Sequence, residues 1–301
     1  MRPHRIHLPD TESTNLYAKT IGPKEEFTLI TTDYQTAGRG QRGNTWESEK
    51  GKNLLFSLII QPYRIQASQQ FVICELISIA ICDVLKRYIP DIHIKWPNDI
   101  YHRDHKLCGI LIEHDIEGTR LSRSIIGVGL NVNQAEFVGD APNPISLHQI
   151  LGHEIEREAL LDEVVTHFNK LYTQYTSTTL DRDTLHTQYT KYLYRKDSLA
   201  TYRDAEGHFI ATLRDVTYDG RLLLEDLHGT PHSYLFKEVA YIIDAPKITK
   251  SPKIQAYANT YRKVGHTEKT NIKLTAGNLP KPTDYYLTQS TTHSINESRE
   301  R

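Results

Sequence analysis

The chain has 301 residues, of which 38% are hydrophobic and 24% charged, and its formal net charge is -1. This length allows about two domains, and this composition is typical of a globular, soluble chain. The near-neutral charge excludes the strongly basic balance of most DNA-binding proteins. No run approaches about 18 consecutive apolar residues, and the first residues hold no apolar signal core, so we predict a cytoplasmic protein without a membrane span.

The three cysteines, Cys74, Cys82 and Cys108, form an odd set with no C-x-x-C spacing. A disulfide framework or a zinc ribbon requires paired or closely spaced cysteines. We therefore predict buried free thiols in a reducing compartment.

The first half of the chain combines apolar strands with one long helix. Apolar and β-branched runs predict strands at residues 28–32 and 53–60, and Pro62 ends the second run. From Ser68 the apolar residues recur with helical spacing, and Pro90 limits this helix downstream. Three short strands are predicted to follow, at 92–96, 106–113 and 124–132.

The second half begins with helices and changes to short strands after Arg195. Helical spacing predicts helices over 156–175 and 181–192. The short strands are predicted at 198–203, 209–217, 221–225 and 233–236. Dipeptides typical of hairpin turns separate them: Glu206-Gly207, Asp219-Gly220 and His228-Gly229. We predict a small five-stranded barrel in this region.

The uneven distribution of charge indicates a boundary near residue 245. Ten basic and four acidic residues follow this point, so the final segment carries +6 and the preceding 245 residues carry −7. The segment 246–301 is rich in Thr, Ser, Asn and Pro and has no apolar period, so we predict that it is mostly disordered. A tether to an acidic partner or to nucleic acid is the alternative. The predicted domains are therefore 1–190 and 191–245, followed by this basic tail.

A glycine-rich loop, Gly38-Arg39-Gly40-Gln41-Arg42-Gly43, satisfies the pattern G-x-G-x-x-G. The dinucleotide-binding version of this pattern opens a helix, whereas residues 44–52 show no helical apolar period. Two guanidinium groups on a flexible backbone with exposed N–H groups suit a phosphate or carboxylate that must be enclosed. A solvated surface loop is the alternative interpretation.

Three further segments combine polar side chains with strand ends. In Lys95-Trp96-Pro97-Asn98-Asp99 the turn presents two oxygen-bearing side chains together, although it could be only structural. Lys106 opens a buried strand, where a lysine is commonly just a solvated edge residue. Glycines interrupt the strand that leads to Asn131, and they mark either a close approach of backbone or ligand, or a bulge.

Taken in order, these segments resemble the biotin–protein ligase family. The resemblance rests on Ser13-Thr14-Asn15, residues 34–46, Lys95 to Asp99, Lys106 to Glu113, and Gly129 to Asn133. It covers about residues 6 to 245. It implies an α+β fold, with a mixed-sheet catalytic domain of the biotin/lipoate ligase type, which is class II synthetase-like, followed by a small SH3-like β-barrel.

The resemblance also implies a two-step reaction with ATP, Mg²⁺ and biotin. The biotin carboxylate attacks the α-phosphate of ATP, which gives biotinyl-5′-adenylate and pyrophosphate. A lysine of a biotin carboxyl carrier protein then attacks the adenylate, which forms an amide and releases AMP. Fixed cations in a site closed to water suit the first step, because two anionic groups must meet.

The site residues are assigned by the same resemblance. The catalytic residues are Lys106, which bridges the biotin carboxylate and the α-phosphate, and Arg39, which acts from the loop. The residues implied to bind biotin are Ser13, Thr14, Asn15, Gln35, Arg39, Gly40, Gln41, Lys106 and Gly109. The residues implied to bind ATP are Arg39, Arg42, Trp46, Asn98, Asp99 and Asn131. No metal ligand is assigned.

Several of these residues have an alternative, purely structural role. Ser13 could cap a helix that begins near Asn15. Trp46, implied to cover adenine, could be a core anchor, and Asp99 could orient only its own turn. The family loop often has a second arginine where this chain has Gln41, so adenylate retention would be weaker unless Arg42 compensates.

The resemblance also predicts the partners. Only about a dozen residues precede Ser13, so we expect a monofunctional ligase that binds no operator DNA and no membrane. The acceptor is expected to dock by strand pairing with the catalytic sheet, and the same edge leaves a homodimer open. A lipoate–protein ligase and a non-catalytic biotin sensor are the alternative functions. The sequence does not identify the acceptor carboxylase.

Overall fold

The computed structural model describes residues 3–22, 27–139 and 142–243. The predicted tail 246–301 lies outside the described residues, and so does the side chain of Arg42.

A seven-stranded mixed sheet forms the first part of the chain, as predicted from the family resemblance. Its strands lie in the spatial order β1-β2-β3-β7-β6-β5-β4. Strand β1 pairs in parallel with β2, and each of the other neighbouring pairs is antiparallel. The strands are β1 His4–Leu8, β2 Phe27–Thr32, β3 Leu54–Ile60, β4 Ile92–Lys95, β5 Asp99–His102, β6 His105–Glu117 and β7 Arg120–Leu130.

Helices cover the two faces of this sheet unequally. The helices are α1 Thr14–Thr20, α2 Phe71–Leu85, α3 Leu147–Leu151, α4 Arg157–Thr176 and α5 Arg182–Lys191. Successive strand residues point to opposite faces. Leu58 therefore joins the main core with α2 and α4, whereas Ile59 joins a small cluster with Ala18 of α1. The α1 face is left thinly covered beyond this helix, and the candidate site lies there.

Helix α2 is the central helix of the main core. The segment Ala67–Leu85 is long and apolar enough to cross a membrane, but 72% of its most apolar stretch is buried inside the protein. A helix that is apolar all round and packed inside a domain is a core helix. This burial accounts for its composition without a membrane.

A second sheet of five antiparallel strands follows, in the order β11-β10-β9-β8-β12. Its strands are β8 Leu199–Arg203, β9 His208–Val216, β10 Leu222–Asp226, β11 Pro231–Tyr234 and β12 Ala240–Tyr241. The four strands predicted here are confirmed to within about two residues at each end. Closure of this sheet into an SH3-like barrel stays a prediction, and so do the domain boundaries.

The sequence patterns predict neither strands β1, β5 and β12 nor helix α3, each of which has five residues or fewer. Such short elements contain too few positions for a hydrophobic period. Asp99 shows the consequence, because it is the first residue of β5 rather than part of a free turn. The turn between β4 and β5 consists of Trp96, Pro97 and Asn98, with a cis Trp96–Pro97 peptide bond.

Candidate active site

The predicted site residues converge on the α1 face, where strands β5, β6 and β7 lie side by side. Asp99 pairs in register with Gly109, and Gly109 pairs with Gly129. The two glycines form a flat area that we call the glycine platform. The platform lies in a regular part of the β6–β7 ladder, whose one register shift falls between Asp115 and Ile116. The bulge interpretation of Gly129 is therefore wrong.

The ring of Trp46 lies on the glycine platform. A Cβ atom added to Gly109 would lie 2.8 Å from Cζ3 of this ring, and one added to Gly129 would overlap its five-membered part. Only glycine lets the ring approach this closely. The structure thus confirms a close approach at Gly129, and it makes Trp46 a half-buried cover of the platform. A role of Trp46 against adenine stays a prediction.

Lys106 and Asp99 form an ion pair beside the platform. The Nζ of Lys106 lies 2.8 Å from Oδ1 of Asp99, and the two side chains are 31% and 20% exposed. The same Nζ lies 5.6 Å from the centroid of the Trp46 ring. Lys106 is therefore a partly buried cation above the site rather than a solvated edge residue. Asp99 does more than orient its own turn, since it binds a residue of the next strand.

A polar network connects the start of α1 to the sheet. The Oε1 of Gln35 accepts a hydrogen bond from the backbone N–H of Thr14 at 2.9 Å. The hydroxyl of Ser57 lies 2.7 Å from Oγ1 of Thr14 and 2.6 Å from Oδ1 of Asn15. Thr14, Asn15 and Ser57 are all buried. Sequence reasoning missed Ser57, although one serine in the apolar run 53–60 was the available signal.

Ser13 occupies the N-cap position of α1, but its side chain accepts no capping hydrogen bond. The side chain is nonetheless buried. The capping interpretation of Ser13 is therefore wrong, and its predicted contact with a ligand stays a prediction.

Glu113 joins α1 to the glycine-rich loop 38–43, which we call the arginine loop. Its Oε1 accepts a hydrogen bond from Nζ of Lys19 at 2.6 Å, and its Oε2 accepts one from Nδ2 of Asn15 at 3.0 Å. A guanidinium nitrogen of Arg39 lies 3.9 Å from Oε1. Burial works to raise the pKa of Glu113, but the hydrogen bonds from Lys19 and Asn15 outweigh it and lower this pKa. The carboxylate is thus a fixed anion, and no role was predicted for it from the sequence.

The arginine loop folds back on itself and opens no α-helix. The N–H of Trp46 donates to the carbonyl of Gly38 at 2.9 Å, and the N–H of Gly40 donates to the carbonyl of Asn44 at 2.7 Å. Residues Gln41–Gly43 form a single 3-10 turn. The exclusion of a dinucleotide-binding helix is therefore confirmed, and the loop closes over the platform through Trp46.

Some predicted site residues carry buried polar atoms without a hydrogen-bond partner. Seven side-chain atoms in the described residues are buried without a hydrogen-bond partner, and three of them are Oε1 of Gln41, Nε1 of Trp46 and Oδ1 of Asn131. The Nδ2 of Asn131, in contrast, donates to the carbonyl of Ile145 at 3.0 Å. Buried polar groups are normally paired, so unpaired ones in one place indicate a ligand-binding position.

Asn98 is engaged within the protein. Its Nδ2 donates to the carbonyl of Ile110, and the N–H of Ile110 donates back to the carbonyl of Asn98 at 3.2 Å. The buried amide nitrogen is therefore committed to holding the β4–β5 turn against β6. The predicted contact of Asn98 with the nucleotide stays a prediction.

Lys95 is a second cation that sequence reasoning left without a role. It is the last residue of β4 and pairs in register with Asp99. Burial lowers the pKa of Lys95, Asp99 acts to raise it, and Lys106 and Arg195 lower it further. Lys95 is thus a half-buried lysine next to the Lys106–Asp99 ion pair.

A cavity of about 830 Å³ lies elsewhere, at the opposite end of the sheet. Its lining includes Arg5 of β1, Phe27 of β2 and Asp162 of α4. It therefore lies on the helix-covered face and holds none of the predicted site residues.

Comparisons with known proteins agree on one family. Residues 8–131 match the biotin/lipoate A/B protein ligase family, and this range includes each predicted site residue. The bifunctional ligase/repressor BirA of Bacillus spizizenii is 30% identical over 243 residues, covering 78% of this chain and 73% of its own. The biotin--[acetyl-CoA-carboxylase] ligase of Paracoccus denitrificans is 28% identical over 174 residues, covering 56% of this chain and 72% of its own.

A solved structure with the same fold is the biotin protein ligase of Aquifex aeolicus in complex with biotin and ATP. The TM-score is 0.67 with 22% sequence identity, over 79% of this chain and 97% of the other. At this identity the similarity shows the fold alone, and it confirms the predicted mixed-sheet architecture.

Proposed function

The chain belongs to the biotin–protein ligases of the biotin/lipoate A/B protein ligase family, and from this premise we propose that it activates biotin with ATP and transfers it to a protein lysine. The observation that carries the proposal is the Lys106–Asp99 ion pair beside the glycine platform, which the ring of Trp46 covers. The acceptor would be the carrier domain of a biotin-dependent carboxylase.

In the first step, a carboxylate oxygen of biotin forms a bond to the α-phosphorus of ATP, and the bond to pyrophosphate breaks. Lys106 would leave Asp99 and neutralise the carboxylate and the α-phosphate together, because its Nζ stands at the edge of the platform. A fixed cation at the point where charge develops lowers the barrier without solvent reorganisation. Arg39 would add a second cation from the loop.

The loop would also protect the adenylate. Trp46 already covers the platform and connects to Gly38 through the backbone. With the ligand bound, the ring would lie over the ligand instead of the two glycines, and Arg39, Gly40 and Gln41 would move with it. Exclusion of water prevents hydrolysis of a reactive mixed anhydride.

The polar network at α1 would bind the ureido ring of biotin. Ser57 already hydrogen-bonds Thr14 and Asn15 there, and Gln35 accepts a hydrogen bond from Thr14, so their positions are set before the ligand arrives. Ser13 would add a hydroxyl, and the backbone of Gly109 would receive the other end of the ligand. Such preorganisation lowers the entropic cost of binding.

The nucleotide would bind across the other side of the platform, between Trp46, Asn98 and Asn131, with Arg42 as a further predicted contact. The buried Oδ1 of Asn131 has no partner within the protein and would accept a hydrogen bond from the nucleotide. No group of three or more His, Cys, Asp or Glu side chains that could hold a metal is found in the described part of the chain. Mg²⁺ with a triphosphate usually takes only one or two carboxylates. Asp99 fits this requirement and would hold the ion, which supplies charge neutralisation when bound.

In the second step, the acceptor amine attacks the acyl carbon, the bond to AMP breaks, and the amine loses a proton as the amide forms. Asp99, released by Lys106, would orient the incoming amine. Docking by strand addition at β4 would displace a segment already there, because the N–H and C=O of Ile94 bind Tyr192 and Tyr194. The homodimer, the monofunctional type and the cytoplasmic location stay predictions.

The direct test is pyrophosphate–ATP exchange with purified protein and Mg²⁺, with biotin in one assay and lipoate in another. We expect exchange with biotin alone. Exchange with lipoate alone would assign the lipoate reaction instead, and biotin binding without exchange would favour a sensor. A carrier domain with and without its acceptor lysine then tests transfer.

A further inference from the structure

Lys95 lies in an aromatic cage beside the candidate site. Its Nζ is 5.2 Å from the ring centroid of Tyr101 and 5.2 Å from that of Tyr241. Tyr101 follows Asp99 by two residues on β5, whereas Tyr241 belongs to β12 of the five-stranded sheet. Both distances fall within the range of a cation–π contact. The cage therefore holds the Lys95 ammonium at the junction of the two sheets.

The same junction fixes the turn that leads to Asp99. The Nε1 of Trp96 donates to the carbonyl of Gly220 at 2.9 Å, and its ring packs edge-on against Phe236 at 6.1 Å. The hydroxyl of Tyr189 donates to the carbonyl of Pro97 at 3.2 Å. Two consecutive residues, Lys95 and Trp96, thus contact the region of the five-stranded sheet shortly before Asp99, a predicted ATP-binding residue.

We propose that Lys95 is a positioning residue, a second cation that shares Asp99 with Lys106 and is held in place by Tyr241 of the five-stranded sheet. This inference rests on the proposed function. Lys95 and Asp99 are the register partners that close the β4–β5 turn, and Asp99 and Lys106 form the ion pair at 2.8 Å. Directly opposite residues of an antiparallel pair point to the same face, so Asp99 has the Lys95 side chain beside it and the Lys106 ammonium bound to it.

Sharing the anion has a direct consequence for Lys106. For the first step Lys106 must exchange Asp99 for the ligand, and a second cation keeps Asp99 compensated once Lys106 has turned away. Without Lys95, Asp99 would attract Lys106 more strongly and leave it held away from the ligand. The network at α1 that would bind the ureido ring involves other residues, so these contacts with biotin would be kept.

The test compares Lys95→Met, which removes the charge, with Lys95→Arg, which keeps it. Lys86→Met is the matched control, because Lys86 also lies over a tyrosine ring, 5.8 Å from that of Tyr192, but at the end of α2. For Lys95→Met we expect about a tenfold lower kcat in biotin-dependent pyrophosphate exchange, with KM for biotin within about twofold. Lys95→Arg and Lys86→Met should stay within about threefold of the unchanged protein in kcat.

Three results would overturn the inference: full exchange activity in Lys95→Met, equal losses in Lys95→Arg and Lys95→Met, or equal losses in Lys86→Met and Lys95→Met. Thermal unfolding and calorimetric biotin binding of each variant separate a positioning effect from a folding defect. If the unchanged protein shows no biotin-dependent exchange, the proposed function fails and the role of Lys95 fails with it, whereas exchange in the unchanged protein without a loss in Lys95→Met overturns the role of Lys95 alone.

A second pair of variants tests the coupling to the five-stranded sheet. Tyr241→Leu removes one ring of the cage and should lower kcat about threefold. Combined with Lys95→Met it should add nothing further, because the ring acts only by holding that lysine. Additive losses in the double variant would contradict the coupling.

Discussion

Lys106 must change partners for the proposed first step to occur. In the structure its ammonium binds Asp99 at 2.8 Å and stands over the Trp46 ring, so it is oriented toward the platform before any ligand is present. A partly buried ion pair holds geometry more than it adds stability. The ion pair would help the reaction because it places the Lys106 ammonium where negative charge will develop.

Replacement of Lys106 by Met should therefore affect the reaction far more than the fold. We expect biotin-dependent pyrophosphate exchange to fall by at least about 100-fold, since a fixed charge at the transition state is lost. Thermal unfolding should change little. The control is Lys170→Met, which removes an exposed lysine of α4 and should leave exchange unchanged. Undiminished exchange in Lys106→Met would exclude the assigned role.

Glu113 gives a prediction for stability against pH. Its pKa is lowered in the folded protein, where the bonds from Lys19 and Asn15 outweigh the opposing effect of burial. A depressed carboxyl pKa adds stability above the unfolded value, about 4.3, and this stability is lost as pH falls through the folded pKa. Glu113→Gln should cost about 1 kcal/mol of unfolding free energy at pH 7 and less at pH 3, because pH 3 lies below the unfolded pKa.

Urea unfolding at both pH values measures this difference. Glu12→Gln, at an exposed position next to the α1 cap, should change the unfolding free energy by less than about 0.5 kcal/mol at both. A cost in Glu113→Gln that stays the same at low pH would show that the charge of Glu113 is not what stabilises the fold.

At the scale of elements, strand β7 packs against the main core on one face and forms part of the candidate site on the other. Val128 points into the main core, while its neighbours Gly127 and Gly129 face α1 and Trp46. The absence of side chains on one side lets Asn15 and Trp46 approach the backbone. The same strand therefore contributes side chains to the core and part of the glycine platform to the site.

Gly129→Ala should therefore displace the arginine loop without disturbing the core. A Cβ atom there overlaps the Trp46 ring, so the ring must leave the platform. We expect a red shift in tryptophan emission and a rise of about tenfold in KM for biotin or ATP. Gly22→Ala is the control, because its Cβ would meet nothing within 4 Å. An unshifted emission spectrum would place Trp46 off the platform.

At the scale of the whole molecule, the three cysteines report on the integrity of the core. All are free and buried. Burial raises the pKa of Cys74 to about 12 and that of Cys82 well above its usual value, so neither is a thiolate near neutral pH. We expect negligible reaction with an aromatic disulfide reagent at pH 8 in the native state and three reactive thiols in denaturant. A fast native reaction would indicate an opened core.

The tail gives the second prediction at this scale. The predicted site residues all lie between Ser13 and Asn131, within the part of the chain that the structure describes. A chain that ends at residue 245 should therefore keep biotin transfer within about twofold of the full chain, since a charged polar segment adds little packing. A severe loss of transfer in the shortened chain would contradict this expectation and assign the tail a function.

Local patterns in the sequence determined much of this protein. Apolar periods predicted α2 and α4, alternating and β-branched runs predicted most long strands, and the motifs around Arg39, Asp99 and Lys106 indicated the chemistry. These signals are visible because each depends on residues within one helix turn, one strand or one loop.

Only the tertiary structure decided which residues meet. Ser57 reaches α1, Glu113 reaches Lys19, and Lys95 reaches Tyr241 across 146 positions of the chain. The resting place of Trp46 on Gly109 and Gly129 depends equally on strands that pair far apart in sequence. Contacts of this kind follow from how sheets and helices pack around a common core, and no short segment of sequence contains both partners.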